Sequence, residues 1–214
     1  MSLRSACIRV FFLCLVFVGQ AARADVPVVL VLGDSLSAGY GMRADQGWVA
    51  LLQRRLTESG YGYRVVNASE SGETTGGGLA RLPRALEKHR PAIVIVELGG
   101  NDGLRGLPVK EIRANLTRIV QLGRKSGARV LLVGVRMPPN YGPAYTRSFD
   151  AVFGEVAKAE QVPLVPFLIA DVALDPSMIQ EDGIHPTAAA QPKLLGQVWP
   201  VLKPLLKGSV PAGD

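Results

Sequence analysis

Few side chains here can exchange a proton near neutral pH, and histidine is among the scarcest of them. The chain has two, His89 and His185. His89 lies in Glu87-Lys88-His89-Arg90-Pro91, a charged stretch where a helix would end, and reads as a solvated residue at that terminus. His185 is placed differently. In Glu181-Asp182-Gly183-Ile184-His185-Pro186 an acid precedes it by three positions, a glycine lets the segment bend, and a proline biases its backbone toward an extended form. An aspartate so placed can orient the imidazole and stabilise the imidazolium formed when it takes a proton. The same residues also suit an Asp-capped turn carrying a surface histidine.

A braced base needs a group to deprotonate. Val28-Val29-Leu30-Val31-Leu32-Gly33-Asp34-Ser35-Leu36-Ser37 drives an apolar run into a serine, and a serine becomes a strong nucleophile only when a neighbouring base removes its proton. Ser35 is therefore the candidate nucleophile, with Asp34 a cap or loop brace; both residue types also serve simply as helix caps. Acyl transfer further requires donors aimed at a developing oxyanion. Gly72, in Ser71-Gly72-Glu73-Thr74, could offer a backbone N–H, and Asn101, in Gly99-Gly100-Asn101-Asp102, a side-chain amide. Taken singly, these are also an ordinary turn glycine and an Asx-turn asparagine.

What must hold such groups together is a set of strands that end at one edge. Apolar runs at 26–32, 63–68, 92–98, 129–135 and 162–167 carry little polar alternation, as strands covered on both faces do. Between and after them, residues 47–58, 77–89, 109–126, 147–161 and 188–206 have helical spacing. Strand and helix in alternation predict βαβ units, hence an α/β fold: a three-layer α/β/α sandwich around a parallel sheet of about five strands. Ligands of such open sheets lie beyond the carboxyl ends of the strands, where Ser35, Gly72 and Asn101 all fall. Glu97, an acid near the end of an apolar strand, calls for a nearby donor.

Residues 1–24 are a separate matter. Arg4 and Arg9, the apolar run 10–18 and the close Ala22-Arg23-Ala24 have the order of a secretory signal peptide, with cleavage expected between Ala24 and Asp25. Its apolar run is too short to span a bilayer, so no stable membrane span is expected after its removal. Its loss would take both cysteines, Cys7 and Cys14, and with them any disulfide, thiol nucleophile or cysteine-held metal. It would also remove three of the 24 basic residues and none of the 18 acidic ones, lowering the net charge from +6 to +3. So small and dispersed a charge does not indicate a nucleic-acid partner. Residues 25–207 suffice for one domain, and 208–214 read as a frayed tail. Residues 71–78 are glycine-rich, yet no G-K-[ST] follows and no G-x-G-x-x-G ends the first strand, so a nucleotide site is not supported.

Taken together, Gly33-Asp34-Ser35-Leu36-Ser37, Gly72, Gly99-Gly100-Asn101-Asp102 and Asp182-Gly183-Ile184-His185-Pro186 resemble, in order and spacing, the four blocks of the SGNH hydrolases, the GDSL esterase/lipase family. Within it the chain is similar to the secreted bacterial acyl-CoA thioesterase I, lysophospholipase L1 or arylesterase branch. Gly47-Trp48-Val49, Val65-Val66-Asn67-Ala68-Ser69, the segment 98–105 and Pro139-Asn140-Tyr141-Gly142 extend the likeness over nearly the whole of 25–207. The resemblance implies a flavodoxin-like fold, with Ser35 as nucleophile, His185 as base, Asp182 as its orienting acid, and Ser35 N–H, Gly72 N–H and the Asn101 amide as the oxyanion hole. It implies that Gly103, Leu104, Arg105, Gly106, Leu107 and Pro108 form a substrate-binding loop, whose glycines permit movement without requiring it. Substrates would be small acyl esters or thioesters, lysophospholipids among them. No metal or cofactor would be needed, and the protein would work as a monomer in the periplasm or outside the cell. The alternatives are a carbohydrate O-acetyl esterase of the same family and a secreted ligand-binding module without turnover.

Overall fold

A computed structural model describes residues 26–208; the leader expected at 1–24, its cleavage point, and all of the expected tail except Gly208 lie outside them. Five parallel strands, β1 (Val28–Gly33), β2 (Arg64–Asn67), β3 (Ile93–Glu97), β4 (Arg129–Val133) and β5 (Leu164–Val165), form one sheet in the order β2-β1-β3-β4-β5. The longer helices are α2 (Trp48–Glu58), α3 (Thr75–His89), α5 (Val109–Lys125), α6 (Pro143–Glu160) and α7 (Gln191–Leu202). Two short ones, α1 (Ser35–Ala38) and α4 (Gly100–Leu104), follow β1 and β3 directly. Neither was expected from periodicity, because one turn of helix is too short to display any.

The alternating directions of strand side chains explain the three layers. Leu30 and Leu32 of β1, with Val94 and Val96 of β3, pack beneath Leu82 and Leu86 of α3, Ile112, Leu116 and Ile119 of α5, and Phe149 and Phe153 of α6. Their neighbours Val29, Val31, Ile93 and Ile95 face Leu52 and Leu56 of α2 and Leu194 and Val198 of α7. A strand buried on both sides has no polar position to alternate with, hence the unbroken apolar runs.

Where elements differ from expectation, proline and glycine account for much of it. Only Leu164–Val165 of the expected 162–167 is strand, since Pro163 and Pro166 flank it and lack the N–H that pairing uses. Helix α6 begins at Pro143, four residues before the expected start; Gly142 at φ 86° turns the chain and proline occupies the first helical position. The closing helix is 3-10 at Ala188–Ala190 and Lys203–Leu205, with α7 between.

In this strand order the chain steps from β1 outward to β2 and then returns across β1 to β3 on the other side, so the crevice of an open sheet falls between the carboxyl ends of β1 and β3. Residues 34–38 and 98–104 lie on its two sides.

Candidate active site

Ser35 opens α1. Asp34 caps that turn, its Oδ1 accepting from the Leu36 N–H at 3.0 Å, and Gly39 closes it in the left-handed conformation at φ 78°. Capping was thus a correct expectation for Asp34. The first N–H groups of a helix have no intrahelical acceptor, and among the described residues that of Ser35 donates to no other group.

His185 comes from a hairpin-like loop. Gln180 N–H donates to His185 O at 2.7 Å, Thr187 N–H to Met178 O at 2.7 Å, and Gly183 turns between them at φ 72°. The Gln180 amide then donates to Tyr40 O at 2.9 Å and to Pro186 O at 3.0 Å, fastening this loop to the segment after α1. That fastening brings His185 Nε2 to 2.8 Å from Ser35 Oγ, 150 residues away in sequence. On the other side of the ring, Nδ1 lies 2.6 Å from Asp182 Oδ2.

Asp182 is held as a carboxylate. Its Oδ1 accepts from the N–H groups of His185 at 3.0 Å and Ile184 at 2.9 Å. These two backbone bonds, then the imidazole, draw its pKa down to about 2. An ionised Asp182 accepts a hydrogen bond from Nδ1–H, which leaves the Nε2 lone pair facing the serine hydroxyl.

The Asn101 amide nitrogen, in α4, donates to Asp34 Oδ2 at 3.2 Å and to Glu73 O at 3.0 Å. It thereby joins the ends of β1 and β3 to the turn that holds Gly72. Gly72 adopts φ 81°, where a side chain is strained, and Arg105 Nη2 donates to its carbonyl at 3.1 Å. Among the described residues the Gly72 N–H has no acceptor. Asp102, beside Asn101, is buried and accepts from Thr75 N–H at 2.8 Å and Thr75 Oγ1 at 2.5 Å, which clamps α4 to the start of α3.

Segment 103–108 runs along this site from the end of α4. Tyr141 Oη donates to Leu104 O at 3.3 Å and Tyr145 Oη to Leu107 O at 2.9 Å. Its glycines differ in kind. A Cβ on Gly103 would lie 2.5 Å from Met137 Sδ and 2.8 Å from the Phe149 ring, so glycine there serves close packing, whereas Gly106 has open space and φ 65°.

Three features were not read from the sequence. Tyr40 stacks on His185, with ring centroids 4.4 Å apart. A surface cavity of about 670 Å³ lined by Tyr40, Gly41, Gln180, Glu181 and Asp182 opens beside that pair. Arg105 reaches the Gly72 carbonyl. The donor expected for Glu97 is Ser37, whose Oγ donates to it at 2.7 Å. Burial and the adjacent Asp34 push the Glu97 pKa well above the usual carboxylate value; burial pushes Asp34 up to about 6. His89 ends α3, next to the amino end of β3 and therefore opposite the site; it is half-buried, and burial with Lys88 and Arg64 lowers its pKa. Among the described residues no cluster of His, Cys, Asp and Glu could hold a metal, and no helix is long and apolar enough to cross a membrane.

Comparison with known proteins gives consistent matches. Residues 31–191 match the GDSL-like Lipase/Acylhydrolase family. Esterase TesA of Pseudomonas aeruginosa is 54% identical over 193 residues, which cover 90% of this chain and 96% of that protein. Thioesterase 1/protease 1/lysophospholipase L1 of Escherichia coli K12 is 46% identical over 187 residues, covering 87% of this chain and 88% of its relative. A crystal structure of TesA superposes with a TM-score of 0.82 at 56% identity, covering 84% of this chain and 99% of that one.

Proposed function

This chain belongs to the GDSL-like lipase/acylhydrolase family, and from that premise we propose that it hydrolyses small carboxylic esters and thioesters through an acyl-serine intermediate. The observation that carries the reading is the position of His185, whose two ring nitrogens lie 2.8 Å from Ser35 Oγ and 2.6 Å from Asp182.

In this reading Ser35 Oγ attacks the acyl carbonyl while its proton passes to His185 Nε2. Asp182 stabilises the imidazolium without taking the proton itself. The Ser35 and Gly72 N–H groups receive the oxyanion together with the Asn101 amide, whose hydrogen on Glu73 O turns to it while the other stays on Asp34. His185 then protonates the departing alcohol or thiol, and water repeats the sequence on the acyl-serine. Because the leaving group takes its proton from Nε2, it departs on the imidazole side, past Tyr40, whose ring lies over His185. The acyl chain then extends the other way, along 103–108, where Leu104 is partly exposed. The Tyr40 ring favours aryl leaving groups. Lysophospholipids belong to the same substrate class, and the leader-like order of residues 1–24 supports work in the periplasm or outside the cell, which the reading assigns to a monomer.

The test is labelling of the purified protein by a fluorophosphonate probe together with turnover of a nitrophenyl ester. The wild type is labelled at Ser35 and turns over; Ser35→Ala folds and does neither. Undiminished labelling of that variant excludes Ser35 as nucleophile.

A further inference from the structure

Directly under Ser35 lie two carboxyl groups that acyl transfer itself leaves unused. Asp34 is 2% exposed and Glu97 0%. They come together because β1 and β3 pair with Gly33 opposite Glu97. Space for them is made by missing side chains: a Cβ on Gly33 would lie 2.7 Å from Ser37 Cβ, and one on Gly100 would lie 3.2 Å from Asp34 Oδ2.

Their hydrogen bonds are unequal. Both Asp34 oxygens accept from firm donors, Oδ1 from Leu36 N–H and Oδ2 from the Asn101 amide. Glu97 Oε2 accepts from Ser37 Oγ at 2.7 Å and more distantly from Asp34 N–H at 3.5 Å, while Oε1 is buried and meets no donor among the described residues. Among the described residues neither carboxyl is paired with lysine or arginine; the titratable groups facing Asp34 there are Glu97 from β3 and His185 from the 181–186 loop, and Asp34 alone faces Glu97. Two adjacent negative charges out of water repel each other and lose their hydration, so one of the two stays neutral.

We propose that Asp34 and Glu97 hold one proton between them, carried by Glu97, and that this singly charged pair is a positioning unit for the oxyanion pocket. Asp34, as the anion, aims the Asn101 amide and caps the turn bearing Ser35; Glu97, as the acid, braces Asp34 and Ser37 without bringing in a second charge. The effect of burial on both groups agrees with this assignment, being greater on Glu97. A group whose pKa is raised by folding contributes stability that is present below its unfolded value and is lost as pH rises through its folded value. Glu97 therefore costs stability in alkaline solution, and a neutral isostere does not.

The catalytic part rests on Asn101 being an oxyanion donor; the proton assignment does not, so the two are measured apart. Infrared difference spectra of wild type against Glu97→Gln near neutral pH should show the carbonyl band of a buried protonated acid only in the wild type. Denaturant stability should fall more steeply with rising pH in the wild type than in Glu97→Gln. For positioning, Glu97→Ala should lower kcat on the order of 10-fold with a smaller change in KM, and Glu97→Gln should recover most of that loss. The shared proton is overturned if the infrared band is absent or the two stability curves run parallel. The positioning role is overturned if Glu97→Ala keeps full kcat, or if Glu97→Gln loses as much as Glu97→Ala. Should Glu97→Ala fail to fold, a loss of kcat in Glu97→Gln on the order of 10-fold likewise overturns it.

Discussion

The ring of Tyr40 lies over the imidazole of His185, their planes inclined by 36° and their centroids 4.4 Å apart. Tyr40 is about half exposed and also lines the surface cavity next to Asp182. The ring thus has one face on the base and about half of its surface open to solvent, where a leaving group that passes His185 could meet it. Tyr40→Ala should raise KM for aryl esters about 3- to 10-fold, with a smaller change for alkyl esters of the same acyl chain, because an aromatic contact of about 0.5–1.5 kcal/mol is lost. Paired kinetics on phenyl and ethyl esters measure this, and equal losses on both count against an aromatic platform.

Asn101 is one of three proposed oxyanion donors, and at rest its two amide hydrogens bond Asp34 and Glu73 O. Asn101→Ala should lower kcat by on the order of 10²- to 10³-fold, with KM little altered. Fluorophosphonate labelling of Ser35 should slow but persist, since the base remains intact.

Asp182 is drawn down to about 2 by the His185 and Ile184 N–H groups. It stays ionised throughout the range in which ordinary carboxylates titrate, so it contributes no acid limb to the rate profile there. Asp182→Asn should reduce kcat by on the order of 10⁴-fold by allowing the wrong imidazole tautomer. Its folded pKa is depressed, so its contribution to stability is present above the unfolded value and fades as pH falls through the folded one. The melting difference between wild type and Asp182→Asn should therefore narrow from pH 5 to pH 2, as calorimetry would record.

Gly103 and Gly106 should respond differently to alanine. Gly103→Ala presses a methyl group on the buried Phe149 ring and on Met137 and should destabilise the fold by about 1–3 kcal/mol. Gly106→Ala meets no crowding and carries only the left-handed strain, about 1–2 kcal/mol. The activity change at saturating substrate should be larger for Gly103→Ala, because its neighbour Asp102 anchors α4 and with it Asn101. Urea melts with matched kinetics separate packing from conformation.

Much was legible in the residues alone. Apolar runs such as 92–98 reveal strands covered on both faces, and helical spacing such as Ile112, Leu116 and Ile119 reveals what covers them. Asp182 and His185 lie three positions apart, so their backbone and side-chain bonds are local, and residue type and spacing suffice to suggest them. Turn limits depend on proline and glycine, which explains why β5 was shorter and α6 longer than periodicity implied.

The tertiary structure decided the rest. That β1 neighbours β3, and that Gly33 pairs with Glu97, depends on burial summed over both faces of the sheet. No local pattern records that sum. It brings Asn101 to Asp34 and explains the acid in β3, while the Gln180 bonds to Tyr40 and Pro186 dock the histidine loop against the serine turn. Sequence alone determined which chemical groups are available and the local shape of each loop, since those depend on bonds spanning a few residues. Their meeting depends on contacts between residues up to 150 positions apart, and only packing of the whole sheet could select those.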